Sequence, residues 1–236
     1  MVDVDEIDYI ITKAISLKCG YTLKGIRESI SPLINKVSDS PYENELLLEV
    51  IPRFVKEHYN NKIEHLLIID NDGESYENDG DESRVRIPSK VDLLESVLFS
   101  MHNHPNASCL QSEADFNSIM EHNEKYAFTI GNDGLMLIKK TDESNSYQKQ
   151  TLKDIFATFL NGSDLRCRNN SGEYRRLQSL WFNALGDESD EQVKIYFEKM
   201  SKTYDKWFME NMSNEIKKLN EDFEDTGISV YHTKLK

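Results

Sequence analysis

Two histidines one residue apart, at the end of an apolar run and cut off by a proline, constrain this chain more than any other feature. The stretch reads Leu98-Phe-Ser-Met-His102-Asn-His104-Pro105. Val97 to His104 has the makings of a strand, and side chains two apart on a strand share a face. His102 and His104 therefore point the same way, close enough to share a metal, while Asn103 points to the opposite face. Pro105 cannot donate to a ladder and ends the strand. A loop then leads to Ser112-Glu-Ala-Asp115, which opens an apolar-periodic segment with Phe116, Ile119 and Met120. Asp115 falls in a first helical turn, where the dipole favours a carboxylate. If the loop folds back, two imidazoles and a carboxylate converge. That gives three protein ligands and one position for water, as in catalytic zinc sites. Each residue alone has a plainer explanation: histidines on a polar strand face need bind nothing, and Ser-x-x-Asp before an apolar run is a capping signature. The combination at this spacing carries the argument.

Around this stretch the chain divides into a helical segment 1–60, a core 61–141 and a helical extension 142–236. Ile7, Ile10, Ile11, Ala14 and Ile15 recur at helical spacing. So do Leu46, Leu47, Val50, Ile51, Phe54 and Val55, with Pro52 as a kink or boundary and Ser38–Pro41 as the intervening turn. In the core, Ile63–Ile69 reads as a strand ending in the turn Asp-Asn-Asp-Gly. Arg84–Ile87 reads as a second strand, Val91–Val97 as a short helix and Val97–His104 as a third strand. Ala127–Ile130 and Leu135–Ile138 flank Gly-Asn-Asp-Gly, a hairpin signal because these residues tolerate positive φ. Residues 147–225 read as helical. Val193, Phe197, Met200, Tyr204, Trp207, Met212, Ile216, Leu219 and Phe223 form a stripe, read first as a face packed on the core and second as a partner or dimerisation face.

Composition narrows the function classes. The net charge of −14, with scattered Lys and Arg, disfavours a protein built to grip a phosphate backbone. Cys19, Cys109 and Cys167 form no Cys-x-x-Cys pair, so neither a disulfide scaffold nor a cysteine knuckle is expected, and a reducing cytoplasm is the simple location. The acidic start lacks the apolar stretch of a signal peptide, and no run approaches the ~20 apolar residues of a membrane span.

His-x-His, ten intervening residues, then Asp resembles the motif of JAMM-type (MPN-domain) zinc metalloproteases. Pro105 directly after the second histidine and Ser112 three before the aspartate match as well. The His-Asn-His-Pro form is similar to the RadC branch and phage relatives, and the loop Asn106–Asp115 to archaeal JAMM proteins. The resemblance covers residues 60–141 and neither helical flank. It implies an α/β (α+β) fold: an MPN/JAMM-like, cytidine-deaminase-like domain in which a mixed curved sheet carries the site, with helical extensions at both ends. It also implies Zn²⁺ on His102, His104 and Asp115.

Members of this family carry a glutamate at the start of an early strand. Asn61-Lys-Ile-Glu64-His-Leu-Leu-Ile-Ile-Asp70 resembles the corresponding RadC strand, which selects Glu64 over Glu74 and Glu77, residues beyond the turn. Leu67 and Ile68 stand where ubiquitin-directed members usually have glycines, a departure that bears on substrate class. The resemblance implies a peptidase or isopeptidase in which Glu64 is the general base on a zinc-activated water and Ser112 donates to the oxyanion. The substrate would be a protein, a peptide or a ubiquitin-like conjugate. The competing expectations are a RadC-like or phage-associated zinc protein of DNA metabolism or defence, and a non-catalytic MPN scaffold assembling through its helices, for instance as an oligomer through the C-terminal ones. Cys109 is expected to be a loop residue, because three ligands already suffice. His65 is expected on the strand face opposite Glu64.

Overall fold

The computed structural model describes residues 21–82, 84–105, 107–187 and 190–235; the expected helix over residues 7–15, and Cys19, lie outside them. The fold is α+β. Among the described residues an open, mixed sheet of six strands, in the order β2-β1-β3-β4-β5-β6, is accompanied by six α-helices. The strands are β1 (His65–Asp70), β2 (Ser75–Asp79), β3 (Val97–Asn103), β4 (Glu124–Gly131), β5 (Gly134–Lys140) and β6 (Ile228–Thr233). The helices are α1 (Leu23–Val37), α2 (Pro41–His58), α3 (Glu113–Glu121), α4 (Lys149–Asn170), α5 (Gly172–Asp187) and α6 (Asp190–Asp222). β3 and β4 run parallel, while β1 pairs antiparallel with both β2 and β3, and β4 with β5. No described helix is long and apolar enough to cross a membrane.

The chain forms two compact units. The first comprises the described residues of Met1–Gln111, Ser118–Lys140 and Val230–Lys236. Here α1 is capped by Thr22, whose hydroxyl oxygen accepts from the Gly25 N–H, and α2 by Ser40, with Pro41 in its first turn. Ile26, Ile30 and Ile34 of α1 and Leu47, Ile51 and Val55 of α2 pack with Leu67, Ile69, Phe99, Met101 and Phe128 of the sheet. This burial carries α2 through Pro52. The expected boundary there is absent, because the apolar residues on both sides of the proline bury together and offset its cost of ~3 kcal/mol. Lys125 bonds Glu43 (2.6 Å) and Asp39 (3.0 Å), and Tyr126 donates to Glu43 (2.9 Å), tying the α1–α2 turn to β4.

Two expectations in this unit need correction. Arg84–Ile87 is not a strand: it has no ladder, and Val85 and Ile87 instead pack on Leu66, Ile68, Val91 and Val97. The strand beside β1 is Ser75–Asp79, whose polar sequence hides its period of two. The expected helix over Val91–Val97 shrinks to a 3₁₀ turn at Val91–Leu93.

The second unit comprises Ser112–Asn117 and Thr141–Ser229. Phe116 stacks on Phe156 (4.3 Å between centroids) and on Phe223 (5.6 Å). Glu215 of α6, with its side chain almost fully buried, is clasped by Arg166 of α4 through Nε (2.9 Å) and Nη2 (2.5 Å). The expected stripe is buried at Met200, Met212 and Leu219 of α6 and at Phe223 just beyond it, but Phe197 is 52% exposed, so the packed face covers only part of the expected run. The sequence reading places no strand at residues 228–233. That segment leaves the positive-φ Gly227 and joins the sheet edge beside β5.

Candidate metal centre

The loop between β3 and α3 is fastened to the β4–β5 turn. His104 N–H donates to Ile130 C=O (2.8 Å), Asn132 N–H to Ala107 C=O (2.8 Å), and Cys109 N–H to Asp133 Oδ1 (2.7 Å). The approach is so close that a Cβ on Gly131 would sit 2.2 Å from the Cys109 nitrogen. The hairpin signal held, although its glycine and not its Asn-Asp pair takes the positive φ: Gly134 has φ +137.

The fold-back brings His102, His104 and Asp115 together, with one ligand atom from each lying within 4.8 Å of the others. His102 is buried and the other two are half-buried. The two Nε2 atoms are 3.0 Å apart. Two nitrogens at ~2.0–2.1 Å from one tetrahedral zinc would be separated by ~3.3 Å, so the imidazoles are already near metal-chelating geometry. His104 Nδ1 lies 3.0 Å from the Ser108 carbonyl, a contact only its N–H form can make, which leaves Nε2 as the lone-pair nitrogen. Asp115 is held by a capping box: its Oδ2 accepts from the Ser112 N–H (2.7 Å), and its own N–H donates to Ser112 Oγ (3.2 Å). The capping interpretation of Ser-x-x-Asp is therefore correct, and compatible with ligation, since the cap orients the carboxylate. All three residues lie within one stretch of chain, β3–loop–α3. Two imidazoles and a carboxylate are a donor set able to hold a divalent transition metal.

Glu64 sits just ahead of β1. Its N–H donates to Asp81 C=O and its C=O accepts from Gly80 N–H, both at 2.8 Å, so it faces two residues where a regular ladder has one, as at a β-bulge. It is buried, at 9% exposure. His65 faces α2, where its ring centroid lies 4.1 Å from that of His58 at an interplanar angle of 33°, and strand alternation puts Glu64 on the opposite side. That is the side of Leu66, whose partner in β3 is His102. Glu77 pairs with Leu67 and faces the α2 side, while Glu74 lies at the far end of β1 beyond Asp70. Of the three glutamates considered, only Glu64 shares both the end and the face of the histidines.

Three further residues shape this neighbourhood. Asn103 accepts from the His65 N–H (2.7 Å) and donates to the Ile63 C=O (3.1 Å), gripping the chain on both sides of Glu64. Ser108 orients His104 through its carbonyl. Thr129 is the β4 register partner of His102, and its hydroxyl is fully buried without a hydrogen-bond partner. Asn103 was legible as facing away from the histidines; nothing in the sequence marked the other two. Cys109 does not join His102 and His104. A cavity of about 370 Å³ lies elsewhere, lined by Phe54, His58, His65 and Asp79 among others on the α2 side of β1.

Compared with protein-family models, curated proteins and solved structures, the chain finds no match in any of the three.

Proposed function

We propose that the protein is a JAMM-type zinc peptidase or isopeptidase that hydrolyses an amide bond in a peptide, a protein or a ubiquitin-like conjugate. The observation that carries this reading is the convergence of His102, His104 and Asp115, with the histidine Nε2 atoms 3.0 Å apart. Zinc held by these three would polarise the scissile carbonyl and lower the pKa of water toward ~7. The chain's own residues supply the remainder. Glu64, at the same end and on the same face of the sheet, accepts the proton of the attacking water and passes it to the leaving amine. Ser112 Oγ already accepts from the Asp115 N–H, and its own O–H remains to donate to the oxyanion. The motif resemblance supports this assignment of roles.

The test is metal content and amide hydrolysis on one preparation, using peptide and ubiquitin-like conjugate reporters. Wild-type protein should carry zinc at this site, lose it in His104→Ala and Asp115→Ala, and cleave a reporter. Glu64→Gln should keep the metal and lose at least ~10²-fold in rate. A zinc-free wild type, or a Glu64→Gln protein as active as wild type, would sink the proposal.

A further inference from the structure

The loop that carries His104 holds a second group of ligand-type side chains. Cys109 comes from the loop, Asp133 from the β4–β5 turn and His232 from β6, and one ligand atom from each lies within 4.8 Å of the others. All three belong to the first unit. Cys109 is 0% exposed. Asp133 Oδ1 is occupied by the Cys109 N–H, but Oδ2 is buried with no hydrogen-bond partner. A buried carboxylate oxygen without a donor is costly unless a cation or proton compensates it. The close approach of β6 is itself built in: a Cβ on Gly134 would lie 2.3 Å from Thr233 C=O and 3.0 Å from His232 Nε2. His232 Nε2 is held 3.1 Å from the Asp133 carbonyl.

We propose that Cys109, Asp133 and His232 hold a second divalent metal ion, separate from the His102–His104–Asp115 group, that clamps the loop onto the hairpin and β6. A thiol, an imidazole and a carboxylate select zinc over magnesium or calcium, which prefer all-oxygen sets. An ordinary thiol is protonated at neutral pH. Binding forms a sulfur–metal bond and releases the thiol proton to solvent, while the carboxylate and neutral imidazole bind as they are. One proton is therefore released per ion at neutral pH. The role is structural: the loop's Ser108 carbonyl orients His104, so a clamped loop steadies the first group. The proposal does not depend on the peptidase reading.

The experiment titrates metal-free protein with Co²⁺ and follows the near-ultraviolet sulfur-to-cobalt charge-transfer band. The first group contains no sulfur, so the band reports a thiolate ligand, and Cys109→Ser separates Cys109 from Cys19 and Cys167. Wild-type protein and His104→Ala/Asp115→Ala should both show the band with one proton released. Cys109→Ser should abolish it, and His232→Gln should weaken cobalt affinity at least tenfold. Asp133→Asn, which keeps an acceptor for the Cys109 N–H, should also weaken affinity at least tenfold, and covers the case in which Cys109→Ser misfolds. No band in wild type, a band surviving Cys109→Ser, or unchanged affinity in Asp133→Asn would overturn the proposal. Loss of zinc from the first group alone would leave the band untouched.

Discussion

Asn103 accepts the His65 backbone N–H at 2.7 Å and donates to the Ile63 carbonyl at 3.1 Å, so one carboxamide replaces a ladder rung on both sides of Glu64. Asn103 itself is 1% exposed. Replacing it with Leu would leave a backbone donor and acceptor without partners, at a cost of about 1–3 kcal/mol. The proposed role of Glu64 adds a second consequence, because a base displaced by ~1 Å loses on the order of 10²-fold in rate. Asn103→Leu should therefore lower both thermal stability and kcat while leaving the metal content of the His102 group intact. Stability can be followed by calorimetry and metal by elemental analysis. A variant with wild-type kcat would show that the bracket positions nothing that matters to the reaction.

His58, on the α2 side of β1, makes stability depend on pH. Burial, reinforced by the neighbouring His65, lowers the His58 pKa from its ordinary value to about 4, and Asp79 opposes the shift. Between about pH 6.5 and 4 the unfolded chain takes up a proton at this position that the folded chain refuses. The contribution of His58 is therefore fully present above about pH 6.5 and is lost as pH falls toward 4. It amounts to about 2 kcal/mol once allowance is made for solvent screening. His58→Phe preserves the ring contacts with Phe54 and His65 but cannot titrate. Melting temperatures at pH 7.5 and 4.5 should fall less in the variant than in wild type. Parallel losses would show that the carboxylates alone set the acid limb.

Legibility in the sequence tracked how local each cause was. The His-x-His alternation, the proline stop and the Ser-x-x-Asp cap are short-range features, and all three formed as their spacing implied. The fold-back of the loop was not legible, because it depends on Gly131 meeting Ser108 and Cys109 across a long separation in sequence. β2 was missed since Ser75–Asp79 has Tyr76 as its one large apolar residue, so the alternation that marks a half-buried strand is almost silent. Arg84–Ile87 misled for the converse reason: Val85 and Ile87 alternate, but their burial is against side chains with no ladder to join. Cys109 looked like a spare loop residue, and its neighbours Asp133 and His232 become neighbours only once β6 returns to the sheet.

In the second unit, the bidentate pair of Arg166 and Glu215 joins α4 to α6 around a carboxylate whose side chain is only 2% exposed. Such a pair is a poor source of net stability, but breaking it is expensive because the buried Glu215 carboxylate is left with weaker partners, among them Lys218 at 3.5 Å. Arg166→Met should destabilise the protein by about 3–5 kcal/mol, and the double change Arg166→Met/Glu215→Met should recover most of that loss. Denaturant unfolding of the two single variants and the double variant closes the cycle. Additive losses would mean that the two side chains do not act as a unit.

Gly131 offers the sharpest test of how the site is assembled. Its backbone lies against the loop so closely that an added methyl would meet the Cys109 nitrogen at 2.2 Å and the Ser108 carbonyl carbon at 2.3 Å. Both contacts are with backbone, so the methyl cannot be accommodated by rotating a side chain. The loop must lift, and with it the Ser108 carbonyl that fixes the His104 ring and the Cys109 N–H that fixes Asp133. Gly131→Ala should therefore impair both groups at once: weaker metal retention at His102–His104–Asp115 and a smaller cobalt–thiolate signal at Cys109. The stability loss should be about 1–3 kcal/mol, as for overpacking elsewhere. Asn132→Ala, at the exposed tip of the same turn, adds no atom against the loop and should leave both metal signals near wild type. Equal retention in Gly131→Ala and Asn132→Ala would show that the loop can hold its ligands without the hairpin beneath it.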